Sequence, residues 1–541
     1  MAISALQYHD ATKHHFQRYA RSAGYMDWAN QPNPFRSWQG AAQHALPLAD
    51  DPPQPTFDRL FAPAVDIAAA PLSVATLGRF LGLSLGLSAW KAAGGSRWSL
   101  RINPSSGNLH PTESHLILPP AANDLPGGVC HYHPFFHALE QRAPLPEGTW
   151  PLWQAHFGGA GFAVALTTIC WRESWKYGER ALRYCLLDGG HALAALGLAA
   201  RLNGWRLTCL AAAGDRRIET LLGWDRIAWP DGEQEHVELL CWVATGQTAT
   251  PPPRTLPETL VQPFAQLQFQ GRPGRLSARA VHWPIIDQAV VATRKTSTAA
   301  PEYQPPSLPL VFPPPAESAA AVIGRRRSAV AFDPRGRIAA DTFYAILDRT
   351  LPREGVPPFD AGLKAPVVDL LLFVHRVVDL PPGLYWFQRS ADRPVFGGGL
   401  VAEPVQSDWP LWRLRTGDVQ YEAMELSCHQ EIAGRSAFAV AMLAPLRRLV
   451  ARRPYLYRHL HWECGMIGQV LYLAAEAHGL RGTGIGCFFD EPVQTLLGID
   501  DDRLQSLYHF TIGHPVEDTR IATLPPYHHL ARPPDAGAAR G

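Results

Sequence analysis

The sequence predicts two α+β domains in tandem, and three observations carry that expectation. The first is an internal repeat. Shifting the chain by 275 positions aligns Arg183–Asp225 with Arg458–Asp500 without a gap, and 15 of the 43 aligned positions are identical. Ordinary residue frequencies would leave about three such matches. Each half therefore carries one copy of a shared unit, read as helix, glycine stop, strand, loop and short helix. The second observation is that strand-like apolar segments precede the unit in both halves, with Val129–Tyr132 and Leu384–Phe387 each following a glycine. The third is a break in composition between the halves. Pro251-Pro252-Pro253 opens and Pro313-Pro314-Pro315 closes a proline-rich stretch that reads as a stiff, extended connector.

Size and charge agree with this reading. The chain has 541 residues, 46% of them hydrophobic and 18% charged, which suits a soluble protein with a substantial core. A formal net charge of +1 gives no global field for nucleic acid or an anionic membrane. The basic runs Arg325-Arg326-Arg327 and Arg447-Arg448 are short enough to be solvated faces. None of the 8 cysteines forms a Cys-x-x-Cys pair, so reduced, mostly buried thiols are expected. The first residues lack the basic and apolar regions of a signal peptide. No apolar run reaches the roughly 18–20 residues that span a bilayer. A cytoplasmic location follows by elimination.

Taken in order, residues 1–65 are polar, aromatic and proline-rich, and read as a leader that wraps the first domain. His9, His14 and His15 do not make a metal set: adjacent histidines cannot easily face one ion, and no carboxylate follows at ligand spacing. Residues 66–250 form the first domain. Ser73 can cap a helix carrying Leu77, Phe80 and Leu81. Gly82-Leu-Ser84-Leu-Gly86 fits the nucleophile-elbow pattern of serine hydrolases, but a helix-like segment precedes it where that motif needs a strand. Ser114–Leu118, Val129–Tyr132 and Phe162–Cys170 read as strands, and Ala181–Asn203 as a buried helix stopped by Gly204. Residues 251–316 are the linker, 317–530 the second domain and 531–541 a frayed tail.

One turn concentrates chemistry-bearing residues. Pro104 fixes its own φ and disfavours helix at Asn103, while Ser105, Ser106, Gly107 and Asn108 supply donors and left-handed tolerance. The stretch Pro104-Ser105-Ser106-Gly107-Asn108-Leu109-His110-Pro111 resembles the flavin-contacting turn of the nitroreductase superfamily. Its Gly-Asn-Leu-His-Pro-Thr-Glu ending is most similar to the SagB/ThcOx-type branch, which oxidises azoline rings in modified peptides. The resemblance implies FMN as cofactor, with Pro104, Ser105, Ser106, Gly107, Asn108 and His110 in its site. The second half carries Arg325-Arg326-Arg327-Ser328, similar to the Arg-x-Ser motif that grips the flavin phosphate in this superfamily, which points to Arg326 and Ser328. It also carries Gly482-Thr-Gly484-Ile485-Gly486-Cys487-Phe488, similar to a loop whose backbone meets the flavin ring, which points to Ile485, Gly486 and Cys487.

The two copies are complementary. The first has no Arg-Arg-Ser, and Cys209-Leu-Ala211 aligns with Gly484-Ile-Gly486; the second has no Pro-Ser-Ser-Gly-Asn. Nitroreductases are usually homodimers with each FMN between subunits. The resemblance therefore implies an intramolecular pseudo-dimer, a monomer with one FMN shared by its halves. Two departures from the family pattern bear on phosphate binding: Val330 stands where a basic residue is usual, and Pro526-Tyr527-His528 follows Ala522-Thr-Leu-Pro525 where a basic pair is usual.

In azoline dehydrogenases a Lys-Tyr pair removes a proton near the flavin, and Lys176-Tyr177 stands at the matching place. A lysine in a desolvated pocket, or a tyrosine beside it, can act as general base. The aligned positions of the second copy are Ala451-Arg452. The expected activity is oxidation of an azoline or related heterocycle in a small-molecule or peptide substrate. Two other readings stand beside it: a generic nitroreductase using NAD(P)H as transient reductant, and a flavin-less scaffold in a peptide-modification complex.

Overall fold

A computed structural model describes residues 3–48, 55–63, 67–121, 124–246, 251–313, 315–392, 396–406, 409–499 and 503–530; the tail 531–541 lies outside them. Each half is built on a seven-stranded antiparallel sheet. The first holds β1 (Ala42–Ala45), β2 (Thr112–Leu118), β3 (Gly128–His133), β4 (Ala138–Ala143), β5 (Gly161–Thr168), β6 (Arg206–Cys209) and β7 (His236–Ala244) in the order β1-β4-β3-β2-β5-β7-β6. The second holds β8 (Asp369–Val374), β9 (Gly383–Phe387), β10 (Glu403–Pro404), β11 (Leu411–Thr416), β12 (Phe438–Ala444), β13 (Arg481–Ile485) and β14 (Gln505–Gly513) in the order β10-β11-β9-β8-β12-β14-β13. Six strands of each sheet follow the same path, and only the outer strand differs. In the first sheet that strand comes from the leader.

The identities of the repeat now have physical reasons. Helices α1 (Ala181–Leu202) and α2 (Leu456–Ala477) occupy equivalent positions and pack against each other. They cross at Gly190 and Gly465. A Cβ on Gly465 would stand 2.8 Å from the Gly190 Cα, and one on Gly190 would stand 2.9 Å from the Gly465 Cα. Only glycine lets the backbones approach this closely. Arg183 reaches across to Asp490 at 2.5 Å, and Arg458 makes the reciprocal reach to Asp215 at 2.9 Å. A pair that recurs with its partners exchanged is the mark of a two-fold interface, here inside one chain. Gly204 and Gly479 stop the two helices at φ +67 and +70, the left-handed conformation of a C-terminal cap.

Segments are also exchanged between the halves. Ala522–Leu524, after the second sheet, pairs antiparallel with Leu87–Ala93 of the first half. The leader bridges both: Asp490 accepts the His14 backbone N–H at 2.8 Å, and Arg447 meets Asp10 at 2.6 Å.

Several expectations need amendment. The proline-rich stretch is more than an extended connector. It contains the helix Pro284–Ala292, and Leu256, Leu260, Val261 and Phe264 sit in the core of the first half. Cys170–Leu202 is, by length and composition, long and apolar enough to cross a membrane, although no run was expected to qualify; 94% of its apolar window is buried inside the fold. Ser84 is fully buried and donates to the Phe80 carbonyl at 2.7 Å, which removes the nucleophile-elbow reading. The arginine run is not a solvated face throughout, since Arg326 is buried. Arg325 ends the helix Ala319–Arg325 and Arg326 caps it, where positive charge suits the C-terminal end of the helix dipole.

Candidate functional site

The Pro-Ser-Ser turn of the first half and the arginine run of the second line one cavity of about 420 Å³. Pro104–Asn108, His110 and Asp188 come from the front half; Arg326, Arg327, Ser328, Tyr472, Thr483, Gly484 and Tyr508 come from the rear half. The exchanged segment adds Ile521 and Thr523.

The turn is held rigidly. Gly107, Asn108 and His110 all have left-handed backbones, with φ of +60, +60 and +54. Glycine takes this conformation freely; asparagine and histidine need local hydrogen bonds to hold it. Asn108 donates to the Ser99 carbonyl at 2.9 Å, its side-chain oxygen meets His110 Nε2 at 2.9 Å, and the His110 backbone N–H donates to Ser105 Oγ at 2.8 Å. His110 is buried, and desolvation with Arg101 and Arg172 nearby holds its ring neutral.

The other end is basic. Arg326 is buried, with Nε donating to the Ile102 carbonyl and Nη2 to the Arg101 carbonyl, at 3.3 and 3.2 Å. Its Nη1 is buried without a hydrogen-bond partner. Arg327, Lys91 and Arg481 line the same end. Arg481 lies 2.6 Å from Glu517, and Lys91 donates to Thr523 Oγ1 at 2.7 Å. Arg325 turns away to Glu317 and Glu476. Ser328 Oγ lies 3.0 Å from the Tyr472 hydroxyl, and the bridge between Ser328 and Gly482 lays this stretch beside β13. Val330, also on the wall, is exposed. The basic supplement from Lys91 and Arg481 was not legible in the sequence, because neither belongs to the arginine run.

Three residues expected in the site lie elsewhere. Ile485 is packed in the core behind β13. A Cβ on Gly486 would strike the Tyr184 ring, and the Gly486 carbonyl accepts from Arg180 at 3.4 Å. Cys487 contacts Cys428 and His14. Thr483 and Gly484 line the cavity in their place: both lie on β13, whereas Gly486 and Cys487 follow its end.

Lys176 and Tyr177 end the helix Cys170–Tyr177 next to the turn. A Cβ on Gly107 would lie 2.8 Å from the Tyr177 hydroxyl and 3.2 Å from Lys176 Nζ. Both polar tips thus rest against a cavity-lining glycine. Lys176 is exposed, so the desolvated pocket expected for it is not there. Burial and the nearby Glu173 carboxyl raise the Tyr177 phenol well above its ordinary value, which keeps it un-ionised.

Asp188 is a wall residue that pattern reading missed. It accepts from the Ser106 backbone N–H at 3.1 Å and from Ser106 Oγ at 3.1 Å, and burial pushes its carboxyl up to about 7. Glu173, also raised by burial and by Asp188, touches Ser105 Oγ at 3.5 Å. The raised carboxyl has a signed consequence. In the fold Asp188 keeps its proton to about pH 7, whereas the unfolded chain releases it near 3.8. This contribution is present below that lower value and is lost as pH rises through the window. Asp188→Asn cannot ionise. Urea unfolding of flavin-free protein should therefore show the variant gaining on the parent from pH 4 to 7, by up to roughly 4 kcal/mol, and staying level above.

The pseudo-symmetric position in the rear half is closed. The repeat places Glu463 and Met466 where the front half has Asp188 and His191. These line a space of only about 20 Å³ with Pro352, Pro358, Phe359, Leu363, Lys364 and Pro366. Cys209, the counterpart of Gly484, donates its backbone N–H to the Ala361 carbonyl at 2.7 Å. Glu463 is neutralised by Lys364 and by Arg389 at 3.0 Å. The helix Phe57–Phe61 is followed by Ala62-Pro63, where its counterpart Ala319–Arg325 is followed by the arginines.

Comparison with known proteins places this geometry. The Nitroreductase family model matches residues 408–514. A candidate nitroreductase from Anabaena variabilis superposes with a TM-score of 0.69 at 22% identity, over 95% of this chain and 99% of that one; the nitroreductase-like fold thus extends over both halves. A candidate nitroreductase from Ralstonia eutropha covers 41% of this chain and 99% of its own, at 16% identity and a TM-score of 0.28. The microcin synthetase complex of E. coli covers 36% of this chain and 70% of its own, at 17% identity and a TM-score of 0.28. No curated protein matches the chain in sequence.

Proposed function

We propose, from a nitroreductase-like fold whose halves build one cavity, that the chain is an oxidoreductase holding a single FMN. We infer further that it acts as SagB/ThcOx-type enzymes do, on an azoline or related ring of a peptide-derived substrate. One observation carries the reading: the Pro-Ser-Ser turn and the arginine run, from opposite halves, line the same open cavity while the mirror-image position is filled.

The residues present fit the group. The cavity volume lies within the range of small-molecule sites. A buried guanidinium N–H without a partner, beside further cations and Ser328, suits a phosphate dianion. The space left by the missing side chains of Gly107 and Gly484 is taken by the Tyr177 and Tyr508 hydroxyls, which seats both phenols against cavity-lining backbone. FMN supplies the hydride chemistry when bound. The chain positions the substrate and manages the proton lost from the ring carbon beside the hydride donor. Lys176, beside Gly107 and open to water, stands where that proton leaves for solvent. Tyr177, kept un-ionised, donates the orienting hydrogen bond.

The test is mass-detected loss of two hydrogens from an azoline-containing peptide. Lys176→Ala and Tyr177→Phe should each slow it about 10²- to 10⁴-fold with flavin content unchanged. NAD(P)H-driven reduction of a nitroarene that ignores both substitutions would instead support a generic nitroreductase.

A further inference from the structure

Cys487 is drawn out of the flavin cavity into a second cluster. It follows β13, while Cys428 lies in the turn after the helix Gln420–Leu426. Two hydrogen bonds clamp these loops on either side of the cysteines: the Phe489 backbone N–H donates to the Leu426 carbonyl at 2.9 Å, and Gln430 Nε2 donates to the Cys487 carbonyl at 3.0 Å. Ser427 is fixed in turn against His509 Nδ1 at 3.1 Å. The turn is costly, since Cys428 and His429 are consecutive non-glycine residues at φ +53 and +59. Such conformations persist only where the surroundings impose them, and they gather at functional sites. Of the 8 cysteines only these two are partly open to solvent; the other six are buried.

Cationic and hydrogen-bonding groups surround Cys487. His14 touches it, and the Arg180 guanidinium stands beside it, donating to the Gly486 carbonyl at 3.4 Å and lying 4.8 Å over the Phe488 ring, with Tyr184 close by; Tyr19 faces Cys428, with Asp490 near. His14 Nδ1 accepts the Ala20 backbone N–H at 2.9 Å. In the neutral ring the proton therefore sits on Nε2, the nitrogen left free to donate to sulfur. The Cys428 thiol hydrogen bond, then His14 and Arg180, lower Cys487 below the ordinary thiol range, against its burial; the same bond raises Cys428. A partly exposed thiolate in an electropositive setting is the reactive kind, and a second thiol beside it can resolve its oxidised form.

We propose that Cys487 and Cys428 form a peroxide-responsive dithiol, Cys487 being the attacking and Cys428 the resolving thiol. The Cys487 sulfur attacks one peroxide oxygen: an S–O bond forms, the O–O bond breaks, and the departing hydroxide leaves as water with the thiol proton. Cys428 sulfur then attacks the sulfenic sulfur: the S–S bond forms, the S–O bond breaks, and a second water leaves with the Cys428 proton. Two thiols are oxidised and one hydrogen peroxide is reduced to two waters. The site is independent of the flavin reading.

The experiment treats the full-length native protein with hydrogen peroxide, followed by mass spectrometry of non-reduced peptides. The parent should lose two hydrogens per chain, show a cross-link between the Cys428 and Cys487 peptides, and recover with dithiothreitol. In Cys428→Ser the reaction should stop at a sulfenic acid on Cys487 that dimedone captures. Cys487→Ser should consume peroxide at least about tenfold more slowly than the parent. Native circular dichroism of each variant confirms that it is folded before treatment. Peroxide that leaves both thiols unchanged in the parent, or that oxidises them without the cross-link, overturns the proposal.

Discussion

Arg326→Ala with Ser328→Ala should empty the cavity of FMN while leaving the protein folded. Arg326 is buried and already gives two N–H groups to the Arg101 and Ile102 carbonyls, so what remains for a ligand is its orphaned Nη1. A hydrogen bond to a charged group is worth about 1.5–3 kcal/mol. The arginine alone then accounts for roughly 10- to 150-fold in affinity, and losing the serine as well should bring the deficit to about 10³-fold. Riboflavin separates this electrostatic grip from general damage to the seam. Without a phosphate, its binding should change little in the variant, whereas equal losses for FMN and riboflavin would mean that Arg326 merely braces the fold. Val330→Lys, placing a cation on an exposed wall position, should tighten FMN binding most at low salt.

Asp490→Ala should destabilise the protein by about 3–5 kcal/mol, because it strands two buried guanidinium groups. Arg180 and Arg183 meet its two carboxylate oxygens at 2.8 and 2.5 Å, and all three side chains are buried. Burial alone would raise the carboxyl, but Arg180 and Arg183 outweigh it and hold it well below the usual carboxylate range. Its contribution is thus present above the unfolded value near 3.8 and is lost as pH falls toward the lower folded value. Chemical unfolding across that range should show the parent converging on Asp490→Ala in acid. Asp215→Ala, which strands the single arginine Arg458, should cost less. Equal stability of parent and Asp490→Ala at neutral pH would mean that the reciprocal ion pairs do not hold the halves together.

Much of the architecture was legible because the repeat records an interface. Gly190 and Gly465 agree because two helices cross there; Arg183 with Asp490, and Arg458 with Asp215, agree because each pair spans the seam. The turn at Pro104–His110 was legible because its residue types serve one strained backbone. The rest needed three dimensions. Lys91 and Arg481 join the basic end only through strand pairing. Which residues of Gly482–Cys487 line the cavity depends on where the strand ends: Thr483 and Gly484 lie on β13, whereas Gly486 and Cys487 follow it. Nothing in the sequence of residues 352–366 announces that they fill the mirror-image position, because a proline-rich loop and a proline-rich plug look alike. The helix Pro284–Ala292 was hidden by the prolines around it.

Counting FMN per chain, after saturation and removal of the excess, tests the shared site most directly. One open cavity of about 420 Å³ and one closed counterpart of about 20 Å³ lead us to expect one equivalent, lost in Arg326→Ala with Ser328→Ala. Two equivalents per chain, or none after incubation with excess FMN, would contradict a single site built by both halves.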